Sequence, residues 1–415
     1  MEIKRYANAK GGKKKGGEIK MALVSQELTT LSSPREKGAA GIDPARYSIQ
    51  IALLSPFQEH YNITFPVCAN TVEELENIVP KDIHVVAEGF GTTSRIFFLD
   101  LSQKGYTLWE LNPALGKHLR ILEKEAHTDS LDPRSIARAG LYFPDRLSPI
   151  CLKEEREALT SLLRMRKEIV KELTADWNRL HALLSESYGY WYDKLKKKVH
   201  TKKGRAFFKK YPSINAFCQD KEKEESFSPS LTQEEKEGLL SQKPWASKIY
   251  LESLEWQIRF LLEKIELLEG KKRELGKKIE QYLKEDAEAQ LLQSIPGVGP
   301  VSAATLLSEI KEIERFPNEG KLAAYCGLVP CLRESGKMKA RGAKRKYYNR
   351  KLKGTFFNIA FTAIRVNPIA RSYYEKKRRE GKTHRKALLC LARQYVKIVY
   401  AVLRKKQKFN QGVLT

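Results

Sequence analysis

The chain has 415 residues, 41% of them hydrophobic, so it is long enough for two or three domains with apolar cores and is not disordered as a whole. Its formal net charge of +26 favours a polyanionic partner such as nucleic acid. No apolar run reaches the roughly 20 residues of a membrane helix, and the six cysteines form no CxxC pair. We therefore expect a cytoplasmic, nucleoid-associated protein with no membrane contact, no zinc site and reduced, mostly buried thiols.

Residues 1–38 predict a flexible basic extension, because the Gly- and Lys-rich stretch at residues 10–17 cannot form a core. In residues 39–149, β-branched segments predict strands at 47–54, 61–67, 83–87 and 106–111, with helices at 72–78 and 93–104. Antiparallel strands first, then strands alternating with helices, predict an α/β domain of the ribonuclease H/RuvC-like type.

Residues 150–290 are almost entirely helical in pattern, with a polar, Pro-bearing interruption near 211–229. From Pro244 to Leu292, apolar residues recur at three- and four-residue steps, which predicts a central helical hairpin or coiled coil. Such a segment either separates two domains or dimerises the protein, and the pattern is the same in both cases.

Residues 291–415 form the last predicted domain, which is mostly helical. The run from Ser294 to Leu307 predicts a helix-hairpin-helix in which the amides of Gly297 and Gly299 hold a nucleic-acid phosphate. The alternative is a Gly-containing turn whose only role is to let two helices pack together.

Basic residues are concentrated in this domain. Residues 333–408 hold 25 Lys/Arg against 3 Glu, or +22 of the chain's +26, with interleaved aromatic residues such as Phe356 and Tyr373. This density favours a nucleic-acid surface over a charged face kept for solubility. The candidate contacts are Arg333, Lys337, Arg341, Lys344, Arg345, Lys346 and Arg350.

Four carboxylates fall at expected strand ends or turns: Asp43, Glu88, Asp129 and Asp132. Two-metal phosphoryl chemistry requires such oxygen ligands, so we expect Mg²⁺ or Mn²⁺. Glu88 follows the apolar Val85-Val86-Ala87, where an acid is awkward without a cation. Asp132 precedes a Pro and has the alternative role of a helix N-cap.

Several motifs occur together in a characteristic order. They are Asn112-Pro-Ala114, Thr128-Asp-Ser-Leu-Asp132, Ile295-Pro-Gly-Val-Gly299, Leu322-Ala-Ala-Tyr-Cys-Gly-Leu-Val-Pro330 and Glu334-Ser-Gly336. From residue 39 to 406 the chain resembles the insertion-sequence transposases that pair a RuvC-like DEDD domain with a serine-bearing second domain, and whose studied members are guided by a bridge RNA. Its segment 342–354 departs from the usual pattern of that family.

The resemblance implies that Asp43, Glu88, Asp129 and Asp132 bind the metal ions and that Ser335 attacks DNA to form a phosphoserine. It also implies donor and target DNA, a guide RNA, and a homodimer that assembles into a tetramer. Independently, a hydroxyl nucleophile needs a metal, a base or cationic surroundings, and Arg333, Lys337 and Arg341 supply the last of these. On base rates alone, Ser335 would be an ordinary loop serine.

The sequence thus favours a DNA recombinase of a mobile element with Ser335 as nucleophile. The first alternative is a RuvC-like metal-dependent junction nuclease that uses water, with Ser335 structural. The second is a non-catalytic scaffold that binds RNA or DNA.

Overall fold

A computed structural model describes residues 38–45, 47–54, 60–68, 70–88, 94–111, 116, 132–150, 152–220, 232–329, 331–335, 338–343 and 348–410, with the backbone alone at 60, 61, 132, 331–335 and 338–343. These residues divide into two compact units. The first holds the described residues up to Glu157 together with 310–317, and the second holds those of 158–309 and from Asn318 onward. The extension predicted at residues 1–38 lies outside the described residues except for Gly38, and the predicted domain boundaries stay predictions.

The first unit is built on a six-stranded sheet. Its strands are β1 (Ala39–Pro44), β2 (Ser48–Leu54), β3 (His60–Pro66), β4 (His84–Ala87), β5 (Leu108–Glu110) and β6 (Ser148–Ile150), in the order β3-β2-β1-β4-β5-β6. β1, β2 and β3 pair antiparallel, β4 lies parallel to β1 and β5, and β6 is antiparallel to β5. The expected mixed α/β fold is confirmed, but the strand prediction missed β1, which is rich in small residues, and the short β6.

Helices cover both faces of the sheet. They are α1 (Thr71–Glu76), α2 (Arg95–Gln103) and α3 (Asp132–Tyr142). On β2, Ile49 and Ile51 pack into the core formed with α1 and α2, whereas Ala52 and Leu54 pack with α3 on the opposite face. A strand buried on both faces explains the apolar sequence of β2.

Helix α3 meets β1 through a close backbone contact. A Cβ atom on Gly41 would lie 2.0 Å from the carbonyl oxygen of Pro133. At the far end of the helix, a Cβ atom on Gly140 would lie 2.9 Å from the Cβ atom of Ala39 and 2.7 Å from Cγ2 of Val86. The helix therefore runs antiparallel to β1, and its first turn lies near the carboxyl end of that strand.

The second unit is mostly helical, as predicted. Its helices are α4 (Glu154–Tyr188, which begins in the first unit), α5 (Tyr190–Leu195), α6 (Lys202–Lys210), α7 (Ile214–Gln219), α8 (Gln233–Leu240), α9 (Lys248–Leu283), α10 (Ala287–Gln293), α11 (Pro300–Ile310), α12 (Glu319–Tyr325), α13 (Arg350–Val366), α14 (Pro368–Arg379) and α15 (His384–Lys405). A two-stranded sheet, β7 (Cys331–Ser335) with β8 (Met338–Ala343), lies between α12 and α13 in the chain. No helix in the described part of the chain is long and apolar enough to cross a membrane.

The two longest helices, α4 and α9, lie antiparallel. The Tyr250 hydroxyl donates to Glu186 at 2.6 Å near one end, and Lys264 pairs with Glu172 at 2.7 Å farther along. Lys264 also pairs at 2.9 Å with Asp176, whose side chain is fully buried. The segment from Pro244 to Leu292, predicted as a helical hairpin or coiled coil, contains α9 and α10. The Asp286 side chain accepts from the amide of Ala289 and caps the second of these helices.

The four cysteines whose side chains the structure describes are free thiols, and the expectation that the thiols are mostly buried is wrong for them. Cys326 is buried, Cys218 and Cys390 are half-buried, and Cys68 is exposed. Burial raises the pKa of the Cys326 thiol to about 12, so this residue is a poor nucleophile at neutral pH.

We predict that Gly41→Ala destabilises the contact between β1 and α3, because its methyl group overlaps the Pro133 carbonyl. Overpacking of this kind costs about 1–3 kcal/mol. Native-state hydrogen exchange of the full chain should show reduced protection in α3. Gly270→Ala is the control, since a Cβ atom there meets no atom within 4 Å. Unchanged protection of α3 in Gly41→Ala would contradict the contact.

Candidate active site

Two of the predicted acids lie side by side at the carboxyl ends of the two central strands of the sheet. β1 and β4 are parallel and in register, with Ile42 opposite Ala87. Asp43 and Glu88 are the next residues of these two chain segments, and both are half-buried. Neighbouring strands are about 4.8 Å apart, so the two carboxylates emerge at the carboxyl ends of adjacent strands.

The start of α3 brings a third acid to this edge. Asp132 is the first residue of α3 and precedes Pro133, whose carbonyl oxygen is against Gly41 on β1. The backbone of Asp132 is therefore near the end of the strand that carries Asp43. The helix begins one residue earlier than the predicted N-cap assignment, and Asp129 lies outside the described residues.

Gly116 lies beside Glu88 and was not among the residues predicted for the site. A Cβ atom on Gly116 would lie 3.1 Å from both Cδ and Oε1 of Glu88 and 3.2 Å from Oε2. The Glu88 carboxylate thus lies directly against the backbone of Gly116, and a side chain there would press on it. The available signal was a glycine closely following Asn112-Pro-Ala114.

The donor set at this edge suits a hard divalent cation. Asp43 and Glu88 offer carboxylate oxygens, which Mg²⁺ and Mn²⁺ prefer. Among the side chains that the structure describes, no group of three or more His, Cys, Asp or Glu forms a metal site. A complete four-acid site would also need Asp129 and the side chain of Asp132.

Ser335 occupies the end of a β-hairpin in the second unit. It is the last residue of β7 and is opposite Met338 at the start of β8. Arg333 is opposite Arg341, and the register shifts between Arg333 and Ser335. Such a bulge re-aims side chains and is frequent next to active sites. The intervening Lys337 lies outside the described residues.

The two ends of the segment that carries this hairpin are fastened together. The Asn349 amide donates to the Tyr325 carbonyl at 2.8 Å, and its side chain donates to Glu309 at 2.7 Å. Glu309 also pairs with Lys351 at 2.5 Å. Gly327 has φ +66°, and a Cβ atom there would lie 2.5 Å from the Tyr348 ring. The chain segments that flank the β7–β8 hairpin are therefore held close together.

The predicted phosphate-binding turn lies between α10 and α11. Gly297 has φ +93°, and a Cβ atom there would lie 2.9 Å from the Ile359 carbonyl oxygen and 3.1 Å from Cβ of Ala363. Packing and backbone geometry thus account for this glycine. A Cβ atom on Gly299 would meet no atom within 4 Å. The predicted contact of this turn with nucleic acid stays a prediction.

The residues of the basic carboxy-terminal region that were predicted to contact nucleic acid differ in their exposure to solvent. Arg350 is exposed at the start of α13, whereas Lys344, Arg345 and Lys346 lie outside the described residues. Phe356 is fully buried in the core, so the expectation that this aromatic ring contacts nucleic acid is wrong. Its position four residues after Leu352, which is also buried, was the signal for a core role.

Two family profiles match the chain in separate regions. A DEDD transposase profile of the IS110 type, described as a transposase, matches residues 40–188. A profile described as the transposase IS116/IS110/IS902 family matches residues 289–375. The first match contains Asp43, Glu88, Asp129 and Asp132, and the second contains Ser335.

Curated relatives agree with these matches. The chain is 34% identical over 143 residues to the insertion element IS116 uncharacterized 44.8 kDa protein of Streptomyces clavuligerus, covering 34% of this chain and 36% of that protein. It is 38% identical over 133 residues to the insertion element IS110 uncharacterized 43.6 kDa protein of Streptomyces coelicolor, covering 32% and 33%. These alignments span about a third of each relative's length.

A longer alignment joins both regions. The chain is 25% identical over 299 residues to the transposase for insertion sequence element IS1111A of Coxiella burnetii, covering 71% of this chain and 72% of that protein. Both domain types occur in sequence order, and over residues 40–188 and 289–375 the chain is similar to transposases of the IS116/IS110/IS902 family.

Proposed function

We propose that this protein is a DNA recombinase of a mobile element that cleaves and rejoins DNA with Ser335 as its nucleophile. The observation that carries the proposal is the register of β1 and β4, which sets Asp43 beside Glu88 at the sheet edge approached by the start of α3. Clustered carboxylates at strand ends are the arrangement that metal-assisted phosphoryl transfer requires.

In the proposed reaction the Ser335 oxygen attacks a phosphorus atom of the DNA backbone. One phosphorus–oxygen bond to the DNA breaks, the departing DNA oxygen takes up a proton, and a phosphoserine ester forms. A hydroxyl of a second strand then attacks the same phosphorus and releases Ser335 with its proton. The number of phosphate ester bonds is conserved, so no external energy source is needed.

Mg²⁺ or Mn²⁺ held by Asp43, Glu88, Asp129 and Asp132 would neutralise charge on the attacked phosphate. Around Ser335, the basic residues Arg333, Lys337 and Arg341 raise the local positive potential, which favours the alkoxide form of the nucleophile. The same cations attract the DNA backbone. Donor and target DNA, with a guide RNA, are the proposed partners.

The acids and Ser335 lie in different units, and the proposed assembly is a homodimer that forms a tetramer during recombination. An exposed stripe on α9 supports self-association. Its members are Ile249, Trp256, Phe260 and Leu267, which are 85%, 65%, 49% and 62% exposed. At 3.6 residues per turn they fall on one side of the helix over about 27 Å. A stripe of this kind is a seam for a second helix.

A RuvC-like nuclease that uses water is the second candidate, since it would need the same acids but not the hydroxyl of Ser335. A binding scaffold would need neither.

Ser335→Ala is expected to abolish strand transfer and any denaturant-resistant protein–DNA adduct, because the attacking oxygen is removed. The measurement is gel analysis after incubation with element-end DNA and Mg²⁺, with peptide mapping of the adduct. Ser372→Ala, at an exposed position of α14, is the matched control and should retain the adduct. Full activity of Ser335→Ala would favour the water-using nuclease instead.

Asp43→Asn and Glu88→Gln are each expected to weaken Mn²⁺ binding and to lower strand cleavage by on the order of 100-fold or more, because each removes a charged oxygen ligand. Calorimetry measures the binding and a cleavage assay measures the rate. Asp145→Asn, in an exposed 3-10 turn, is the control for loss of one carboxylate. If both site variants bind Mn²⁺ and cleave like the parent protein, the catalytic assignment fails.

The double variant Trp256→Glu/Phe260→Glu is expected to be monomeric, because the two stacked rings, 5.5 Å apart, are replaced by like charges at the centre of the stripe. Sedimentation should give a mass near 47.6 kDa for the variant and at least twice that for the parent chain. Tyr190→Glu/Val366→Glu, at exposed positions off the stripe, should keep the parent's mass. A parent mass retained in the stripe variant would refute this seam.

A further inference from the structure

A strongly basic segment lies in the middle of the second unit, far along the chain from the basic carboxy-terminal region. Residues 194–210, here called the basic segment, contain nine Lys/Arg and no Asp or Glu. They span the end of α5, the 3-10 turn Lys198–His200 and the whole of α6. Neither family profile covers them, since the matches end at residue 188 and resume at residue 289.

Ion pairs within the unit divide these nine charges into two groups. Five are paired with acids of the same unit: Lys196 with Asp193, Lys198 with Glu235, Arg205 with Glu269, Lys209 with Glu266 and Lys210 with Asp220. Lys194, Lys197, Lys202 and Lys203 are exposed, and within the described residues no ion pair involves any of them. Local acids thus form ion pairs with one group and leave four exposed lysines. The pKa of Asp193 is lowered mainly by its hydrogen bond with Lys196, and Lys194 also helps to lower it.

The segment holds these four lysines on a fixed backbone. Val199 and Phe208 are fully buried in the core of the unit, which anchors both the turn and α6. A Cβ atom on Gly204 would lie only 1.9 Å from the carbonyl oxygen of Lys198, so the turn is folded tightly onto the first turn of α6. The Thr201 side chain caps this helix by accepting from the Gly204 amide at 3.0 Å.

The position of two of the lysines is unfavourable for the isolated protein. Lys202 and Lys203 occupy the first turn of α6, which contains no acidic residue. The helix macrodipole is positive at this end and favours acids, so a cation at either position is unfavourable. An external anion bound at the segment would offset this cost, because phosphate is favoured by the same dipole and by the lysines.

We propose that Lys194, Lys197, Lys202 and Lys203 form a second nucleic-acid surface that binds the phosphate backbone of duplex DNA. Lysines without aromatic partners suit a duplex, whose bases are covered, whereas single strands are bound through stacking on free aromatic rings. The nearby rings of Trp177, His181 and His200 pack on one another at centroid distances of 4.5–5.9 Å, whereas Tyr190 at the start of α5 is exposed. Binding here requires neither Ser335 nor a metal ion, so the two proposals can fail separately.

The test uses the full chain, a 30-base-pair duplex of arbitrary sequence and buffer containing a chelator. Lys194, Lys197, Lys202 and Lys203 are changed together to Gln, which removes charge and keeps the side-chain stems. Each neutralised phosphate contributes about 0.9 to the slope of log affinity against log salt, so the slope should fall by about 3 to 4. Unchanged hydrogen-exchange protection of α6 verifies the fold.

The matched control changes four exposed lysines of the same unit, Lys243, Lys248, Lys277 and Lys278, to Gln, giving the same net charge. It should leave the slope within about 1 of the parent value. An equal fall in both variants means that net charge alone matters and overturns the proposal. An unchanged slope in the test variant also overturns it, and a fall seen with single-stranded RNA but not with the duplex overturns the choice of ligand.

Discussion

Parallel pairing between β1 and β4 is the constraint on which the candidate site depends. With Ile42 opposite Ala87, Asp43 and Glu88 follow at the same level of the two neighbouring chain segments. A shift of one residue in this register would move one acid to the other face of the sheet. The register is held by burial on both faces, since Val85 packs with α2 and Val86 packs with α3.

Glycines allow the remaining parts of the site to come close. At Gly41 the backbone of α3 touches the strand two residues before Asp43, and at Gly116 the backbone touches the Glu88 carboxylate. The Gly41 contact is between two backbone segments, whereas at Gly116 the backbone adjoins the end of the Glu88 side chain. The acids are therefore arranged by rigid elements, as a site for phosphoryl transfer needs.

Sequence patterns predicted the parts of this arrangement that have a periodic or compositional signal. An apolar run ending in Glu88, the alternation along β2 and the three- and four-residue steps of α9 all predicted elements that the structure contains. The contact between Gly116 and Glu88 was not predictable, because it joins positions 28 apart through tertiary packing. The local charge density predicted nucleic-acid contact for Phe356, but the helical period places this residue in the core.

The second unit carries the proposed nucleophile. Its hairpin ends at Ser335, next to a register shift, on a base fastened by Asn349 and Glu309. In the proposed reaction the carboxylates and the attacking hydroxyl therefore belong to different units of the chain. The unit also carries the exposed stripe of α9 and the basic segment, the two surfaces proposed for self-association and for duplex DNA.

The most direct test of the central claim is anomalous diffraction from crystals of the full chain soaked in Mn²⁺. The account predicts an anomalous peak between the carboxylates of Asp43 and Glu88, at a coordination distance of about 2.0–2.4 Å from an oxygen of each. An occupied Mn²⁺ position elsewhere, with no peak at the ends of β1 and β4, would contradict it.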